Sequence, residues 1–307
     1  MTDIFLRLAV ITTAGIAYRY LPGALPPADI RRIISSIVLN IFIPFLTFGF
    51  ISTAPVSSDL ITVPIVSIAS ALLGFGIGWL VHAKILAQRL NASAIGSLIL
   101  ASAWCNAMYM GLPITTAVVG EHVGRVPILF DYLGMTPLLF TVGAVMSSRY
   151  GTRLETASLG KGIVEVLRLP PIIAIALGIV VNILDITPPT WFLSACEGAG
   201  KVVAPLMLFS IGLALRMPTG QSILLLLPSA LIRTVLVPLI VMPLAGTIIT
   251  DRDVLQATML ETAMPTMMLT MAFAERFGLD ESMLAQAILV STLLSVFTLP
   301  QVLAWIP

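Results

Sequence analysis

Four polar side chains and two prolines sit in stretches of this chain too apolar to hold them without a reason: Asn106, Asp131, Arg233, Glu261, Pro113 and Pro265. Ionisable groups inside long apolar runs are expensive to bury, so each is a candidate for binding or coupling. A proline within a helix removes one donor and frees the carbonyl four residues earlier. In hydrocarbon those groups must line a cavity or meet a ligand. Asn106 stands seven residues before Pro113, with Gly111 just before the ring. Glu261 stands four residues before Pro265, which Met264 precedes and Thr262 and Thr266 flank. The Asn106 amide both donates and accepts, so it can satisfy unwound backbone and contact a carboxylate at once. Half-helix N-termini after the breaks present partial positive charge, which suits an anion.

Each residue also has a plainer reading. Pro44, Pro64, Pro137, Pro205, Pro228, Pro238 and Pro243 read as kinks in ordinary helices. Glu261 can bind a proton or a sodium ion, orient a crossing, or pair with an arginine. Arg233 can attract an anion or hold Glu261. The ion pair is the favoured reading, because an unpaired guanidinium at membrane depth is hard to accommodate. Asp131 falls near the outer end of its segment, where it can be an interfacial or capping group. Asn106 can form an interhelical hydrogen bond. Glu197 and Lys201, an i,i+4 pair with the acid first, read as a helix-surface ion pair. Met264, Met267, Met268 and Met271 read as adaptable packing.

The elements that position these groups follow from composition. Of 307 residues, 58% are hydrophobic and 10% charged, and the mean hydropathy is +1.05. A soluble domain carries about 25% charged residues, so most of this surface faces something other than water. The net charge of +1 points to no nucleic acid. Cys105 and Cys196 lie in apolar runs and imply neither a disulfide framework nor a metal cluster, and His82 and His122 are isolated; no cofactor is expected. Ten apolar segments appear in a window of about 19 residues. They fall near 4–20, 31–53, 61–82, 93–119, 126–148, 169–186, 194–216, 222–248, 253–277 and 283–305. The first lacks a basic n-region and a cleavage site, so it reads as a span rather than a signal peptide. No soluble domain is expected around the membrane region. Asn91 and Asp280 stand at N-cap positions and Gly278 at a helix end.

Basic residues gather in the odd-numbered connections: Arg19, Arg31, Arg32, Lys84, Arg89, Arg149, Arg153, Lys161, Arg168 and Arg276, with Arg216 on the same side. The even connections hold Arg125 and Arg252, with Lys201 near the start of span seven. The positive-inside rule then places both termini outside. The connection 149–168 divides the segments five and five, and an odd number per half gives homologous halves opposite topology. Pro44 with Phe48 in span two and Pro205 with Phe209 in span seven, at the same offset, and the paired prolines Pro113 and Pro265 in spans four and nine, support two inverted halves. Interrupted helices at corresponding positions are a sequence pointer to a transporter's binding site.

The run Asn106-Ala107-Met108-Tyr109-Met110-Gly111-Leu112-Pro113 resembles the fourth-helix signature of the auxin efflux carrier family. Pro44 to Ser52, Leu206 to Leu215, and Met264-Pro265 with Ala272 to Phe277 resemble its second, seventh and ninth helices. The resemblance runs in order along essentially the whole chain. It implies an all-α polytopic membrane protein of ten helices in two inverted five-helix repeats, 1–150 and 169–307, joined by a short cytoplasmic connector, 151–168. Helices four and nine would cross, broken, in a mobile domain that moves as an elevator. A scaffold would dimerise through helices two and seven. The substrate would be a small organic anion, such as a carboxylate, bound by Asn106, Tyr109, Gly111, Leu112, Pro113, Thr262, Met264, Pro265 and Thr266. Asp131, Arg233 and Glu261 would serve coupling to H+ or Na+, or a structural ion pair. The setting would be a bacterial cytoplasmic (inner) membrane. Thr266 stands where plant members carry glutamine, which disfavours an aromatic, auxin-like substrate. Two other readings are a sodium-coupled symporter of the bile-acid type, which resembles the same architecture, and an intramembrane enzyme. The latter needs a serine–histidine pair, two aspartates or a metal cluster at membrane depth.

Overall fold

A computed structural model describes residues 2–53, 57–153, 157–214 and 223–305. Arg216 and the end of the seventh segment lie outside them. Among the described residues the chain is helical throughout and forms no strand, only one isolated bridge between Cys105 and Thr266. The helices are α1 (Thr2–Tyr18), α2 (Pro27–Thr53), α3 (Asp59–Ile85), α4 (Ala92–Ala103), α5 (Ala107–Val118) and α6 (Glu121–Tyr150). They continue with α7 (Leu159–Leu167), α8 (Pro170–Ile183), α9 (Thr190–Ala214), α10 (Ile223–Ile248), α11 (Arg252–Thr262), α12 (Thr270–Phe277) and α13 (Glu281–Trp305).

Among the described residues six helices, α2, α3, α6, α9, α10 and α13, are long and apolar enough to cross a membrane. The pair α7 and α8, bent by 61°, makes a seventh when taken as one span. The other apolar segments of the sequence are the 17-residue α1 and two interrupted pairs, α4 with α5 and α11 with α12. An unbroken crossing needs about 20 residues. The 12 residues of α4 and the 11 of α11 are each too few for one.

Local chemistry fixes the ends. Asn91 accepts the Ala94 amide, Asp280 accepts that of Met283, and Gly278 takes φ 72° beyond α12, as the sequence suggests. Asp251 caps α11 by accepting the amides of Asp253 and Val254. Both interrupted pairs thus begin at an Asn or Asp cap.

The connections between helices gather in two groups. Asp280 N–H donates to Ser93, Thr152 N–H to Gly278, and Arg276 to Glu165. At the other group His122 meets Asp253 and Arg125 meets Asp59. Between them α2 packs on α8 and α9, and α1 on α9. The α1–α9 contact is backbone on backbone: a Cβ added at Gly212 would lie 2.0 Å from the Thr12 carbonyl oxygen, and one at Gly15 2.2 Å from that of Phe209. Small residues that let backbones touch are the usual basis of helix association in a membrane, where apolar side chains gain little by leaving lipid.

Candidate functional site

The two interruptions meet and complete each other. The Asn106 amide donates to the Pro265 carbonyl at 2.7 Å, and the Met267 amide to the Trp104 carbonyl at 2.8 Å. This antiparallel bridge satisfies backbone groups that a broken helix leaves without partners. Side chains finish the joint. The Ser291 hydroxyl accepts the Thr266 amide at 3.1 Å, and the Thr266 hydroxyl donates to the Ala101 carbonyl at 2.8 Å.

The break in the first pair is at Trp104–Asn106, not at Pro113. Pro113 lies within α5, directly after the π-turn Ala107–Gly111, and helix continues through it to Val118. A π-turn interrupts the regular hydrogen-bond ladder, and the ring falls where that ladder is already disturbed. Pro265 does lie in its break, between α11 and α12.

Arg233 and Glu261 do not pair. Arg233, fully buried in a π-turn of α10, donates to the Ala103 carbonyl at 2.8 Å, to the Ser70 hydroxyl at 2.8 Å, and to the Thr262 carbonyl. Ala103 and Thr262 are the last residues of α4 and α11. Arg233 therefore closes the C-terminal ends of both first half-helices, where partial negative charge accumulates. Two carbonyl oxygens and a hydroxyl take its terminal nitrogens, and among the described residues no carboxylate contacts it, while Nε lies buried without a partner. Glu261, also fully buried, turns towards α5 instead. Its Oε1 accepts the Thr115 hydroxyl at 2.6 Å, and Oε2 lies without a partner. The carboxylate lies against Gly111, where an added Cβ would come within 2.0 Å of it. Glycine at 111 is what lets α5 and α11 approach.

A small cavity of about 40 Å³ opens beside the crossing, lined by Asn106, Tyr109, Asp131, Thr136 and Met267 among others. No hydrogen bond is made by the Asn106 side-chain amide among the described residues. Asp131 is 2% exposed, ten residues into α6, at a π-turn that runs to Met135. It lies within the helix and not at its end. Its Oδ1 accepts the Thr136 hydroxyl at 3.2 Å. Such a volume holds a few waters or one small group.

Leu112 and Pro113 line a second, larger cavity of about 680 Å³, with Thr116, Glu121 and residues of α2 and α9 that include Glu197 and Lys201. Glu197 and Lys201 form the expected surface pair at 2.6 Å.

The structure thus distributes the residues singled out by sequence. Asn106, Tyr109 and Asp131 share the small cavity; Leu112 and Pro113 face the large one. Gly111, Glu261, Thr262, Met264, Pro265, Thr266 and Arg233 build the joint and line neither cavity. From the second break it is Met267 and Leu269 that reach the small cavity, with Tyr132 and Thr136 from α6. The one signal for the α6 group was an ionisable residue inside an apolar segment.

A buried serine and histidine also come together, which sequence reasoning missed. Ser102 Oγ lies 3.5 Å from His82 Nε2. Both residues are fully buried, and the Ser102 hydroxyl donates to the Leu98 carbonyl at 2.8 Å, so its proton is already committed. The pair lines neither of the two cavities described.

Apolar helices long enough to cross a bilayer, with interrupted helices meeting at a buried polar joint, define a multi-pass membrane protein of transporter type. The chain belongs to a family described as Membrane transport protein, the auxin efflux carriers, whose model matches residues 5–303. It is 27% identical over 308 residues to an "Uncharacterized transporter" of Methanothermobacter thermautotrophicus, covering 97% of this chain and 96% of the relative. It is 24% identical over 286 residues to a "Putative malonate transporter" of Rhizobium meliloti, covering 89% and 86%.

Proposed function

We propose that this chain carries small organic anions, carboxylates first among them, across the cytoplasmic membrane, binding them at the crossing of the two interrupted helices. The observation behind this reading is Asn106: it stands at the backbone joint, lines a cavity, and makes no side-chain hydrogen bond among the described residues. The relative named for malonate transport supports a carboxylate cargo. In this reading the chain has ten spans in two inverted halves, 1–150 and 169–307, linked by 151–168. Support comes from the matching Asn91 and Asp251 caps and from breaks in the fourth and ninth segments. The small cavity is too tight for a whole organic acid, whereas the large one is roomy and reaches Pro113. That asymmetry supports alternating access in which the domain bearing the crossing slides against a scaffold of α1, α2, α8 and α9. Asp131, the carboxylate in the small cavity, is the candidate proton site. The reading includes a homodimer through α2 and α9, as the family resemblance implies.

The test is uptake into proteoliposomes of mono- and dicarboxylates under separately imposed proton and sodium gradients. Asn106→Ala is expected to lower uptake at least ~100-fold, on the scale of removing a buried orienting donor, with folding intact by size-exclusion chromatography. Asp131→Asn should keep binding but lose the response to a proton gradient. Uptake by Asn106→Ala at the wild-type rate would remove the site assignment.

A further inference from the structure

We propose that Arg233 is a built-in substitute for the coupling cation, so that this carrier works without sodium. In carriers built on interrupted helices, coupling cations are held by unwound backbone carbonyls and by the C-terminal ends of half-helices, while anionic substrate groups meet the N-terminal ends. Here both C-terminal ends are already occupied. The Arg233 guanidinium takes the last carbonyl of α4, from Ala103, and the last carbonyl of α11, from Thr262, together with the Ser70 hydroxyl of α3. These three oxygens come from three elements and converge on one fully buried, permanently charged group. Two carbonyls and a hydroxyl are also the hard oxygen donors that a sodium ion would take.

The electrostatic consequence bears on the substrate. Four half-helix ends converge at the crossing: two negative, from α4 and α11, and two positive, from α5 and α12. Arg233 neutralises the negative pair permanently. The positive pair stays available for an anion, whatever the ions in the surrounding solution. The charged groups nearest this arrangement are Glu261, which turns away to Thr115 and Gly111, and Asp131 across the joint. Neither contacts the guanidinium. Arg233 is thus a positioning residue: it acts through the two helix ends and not by touching the substrate.

The proposal rests on the crossing as the transport site, but its test does not require the cargo to be known. The melting temperature of the purified protein, without substrate, is measured in sodium chloride and in choline chloride. The wild-type protein should melt at the same temperature in both. Arg233→Ala removes the guanidinium and leaves the oxygen cluster, so it should melt lower and regain several degrees in sodium but not in choline. Arg233→Lys keeps the charge and should stay indifferent to sodium. A merely structural arginine would lower stability on truncation without creating a sodium response. Saturable stabilisation of the wild type by sodium overturns the proposal, and so does a folded Arg233→Ala that shows no sodium response. Should the alanine variant fail to fold, Arg233→Lys decides: sodium-indifferent melting, with uptake of whichever substrate the wild type carries kept within ~10-fold, supports the proposal; a sodium requirement refutes it. Failure to move carboxylates would refute the proposed function and leave these melting curves interpretable.

Discussion

Two carboxylates lie close to the crossing, and their neighbours give them different work. Glu261 has one oxygen on Thr115 and the other buried without a partner, pressed against Gly111. Its surroundings are those of a fastener between α5 and α11. Asp131 lines a cavity together with Asn106. Gly111→Ala would drive a methyl group into the Glu261 carboxylate. Overpacking of this kind costs about 1–3 kcal/mol, so the variant should melt several degrees lower, and thermal unfolding in detergent checks it. Melting at the wild-type temperature would mean that the carboxylate moves aside freely. These residue types were legible in sequence because polar groups stand out in apolar runs. Their partners were not. Periodicity cannot say that Arg233 reaches two carbonyls instead of Glu261, since those carbonyls become available only when two distant helices end side by side.

At the scale of elements, the molecule combines interrupted helices with tightly packed continuous ones. The α1–α9 contact leaves no room for a side chain at Gly15 or Gly212. Gly212→Val should therefore separate these helices and lower the yield of folded protein, measured by fluorescence-detected size exclusion. A monodisperse variant that transports normally would show that the contact is dispensable. Hydropathy located the apolar segments well, and the caps at Asn91 and Asp280 and the turn at Gly278 were readable from local chemistry. The position of the first break was not. Pro113 is the conspicuous breaker in sequence, yet the helix stops at Trp104–Asn106, where the Pro265 carbonyl and the Met267 amide offer partners from the second interruption. Tertiary hydrogen bonds moved the break by about two turns.

For the whole molecule, the bias of lysine and arginine gives a testable sidedness. The connection bearing Lys84 and Arg89 should face the cytoplasm, and that bearing Glu121 and His122 the outside. Single cysteines at Arg89 and His122, in a background lacking Cys105 and Cys196, should differ in labelling by an impermeant thiol reagent on intact cells: His122→Cys reacts, Arg89→Cys does not. The reverse pattern would invert the proposed topology.

The joint at the crossing also bears on how such a protein can change. Its two central bonds, Asn106 to Pro265 and Met267 to Trp104, run from main chain to main chain. Among single replacements, only proline at 106 or 267 deletes a donor outright. Cavity-lining side chains such as Tyr109 and Thr136 can therefore vary without deleting either bond. What limits variation at the seam is the set of side chains that brace it, Thr266, Ser291 and Arg233, and not the two central bonds.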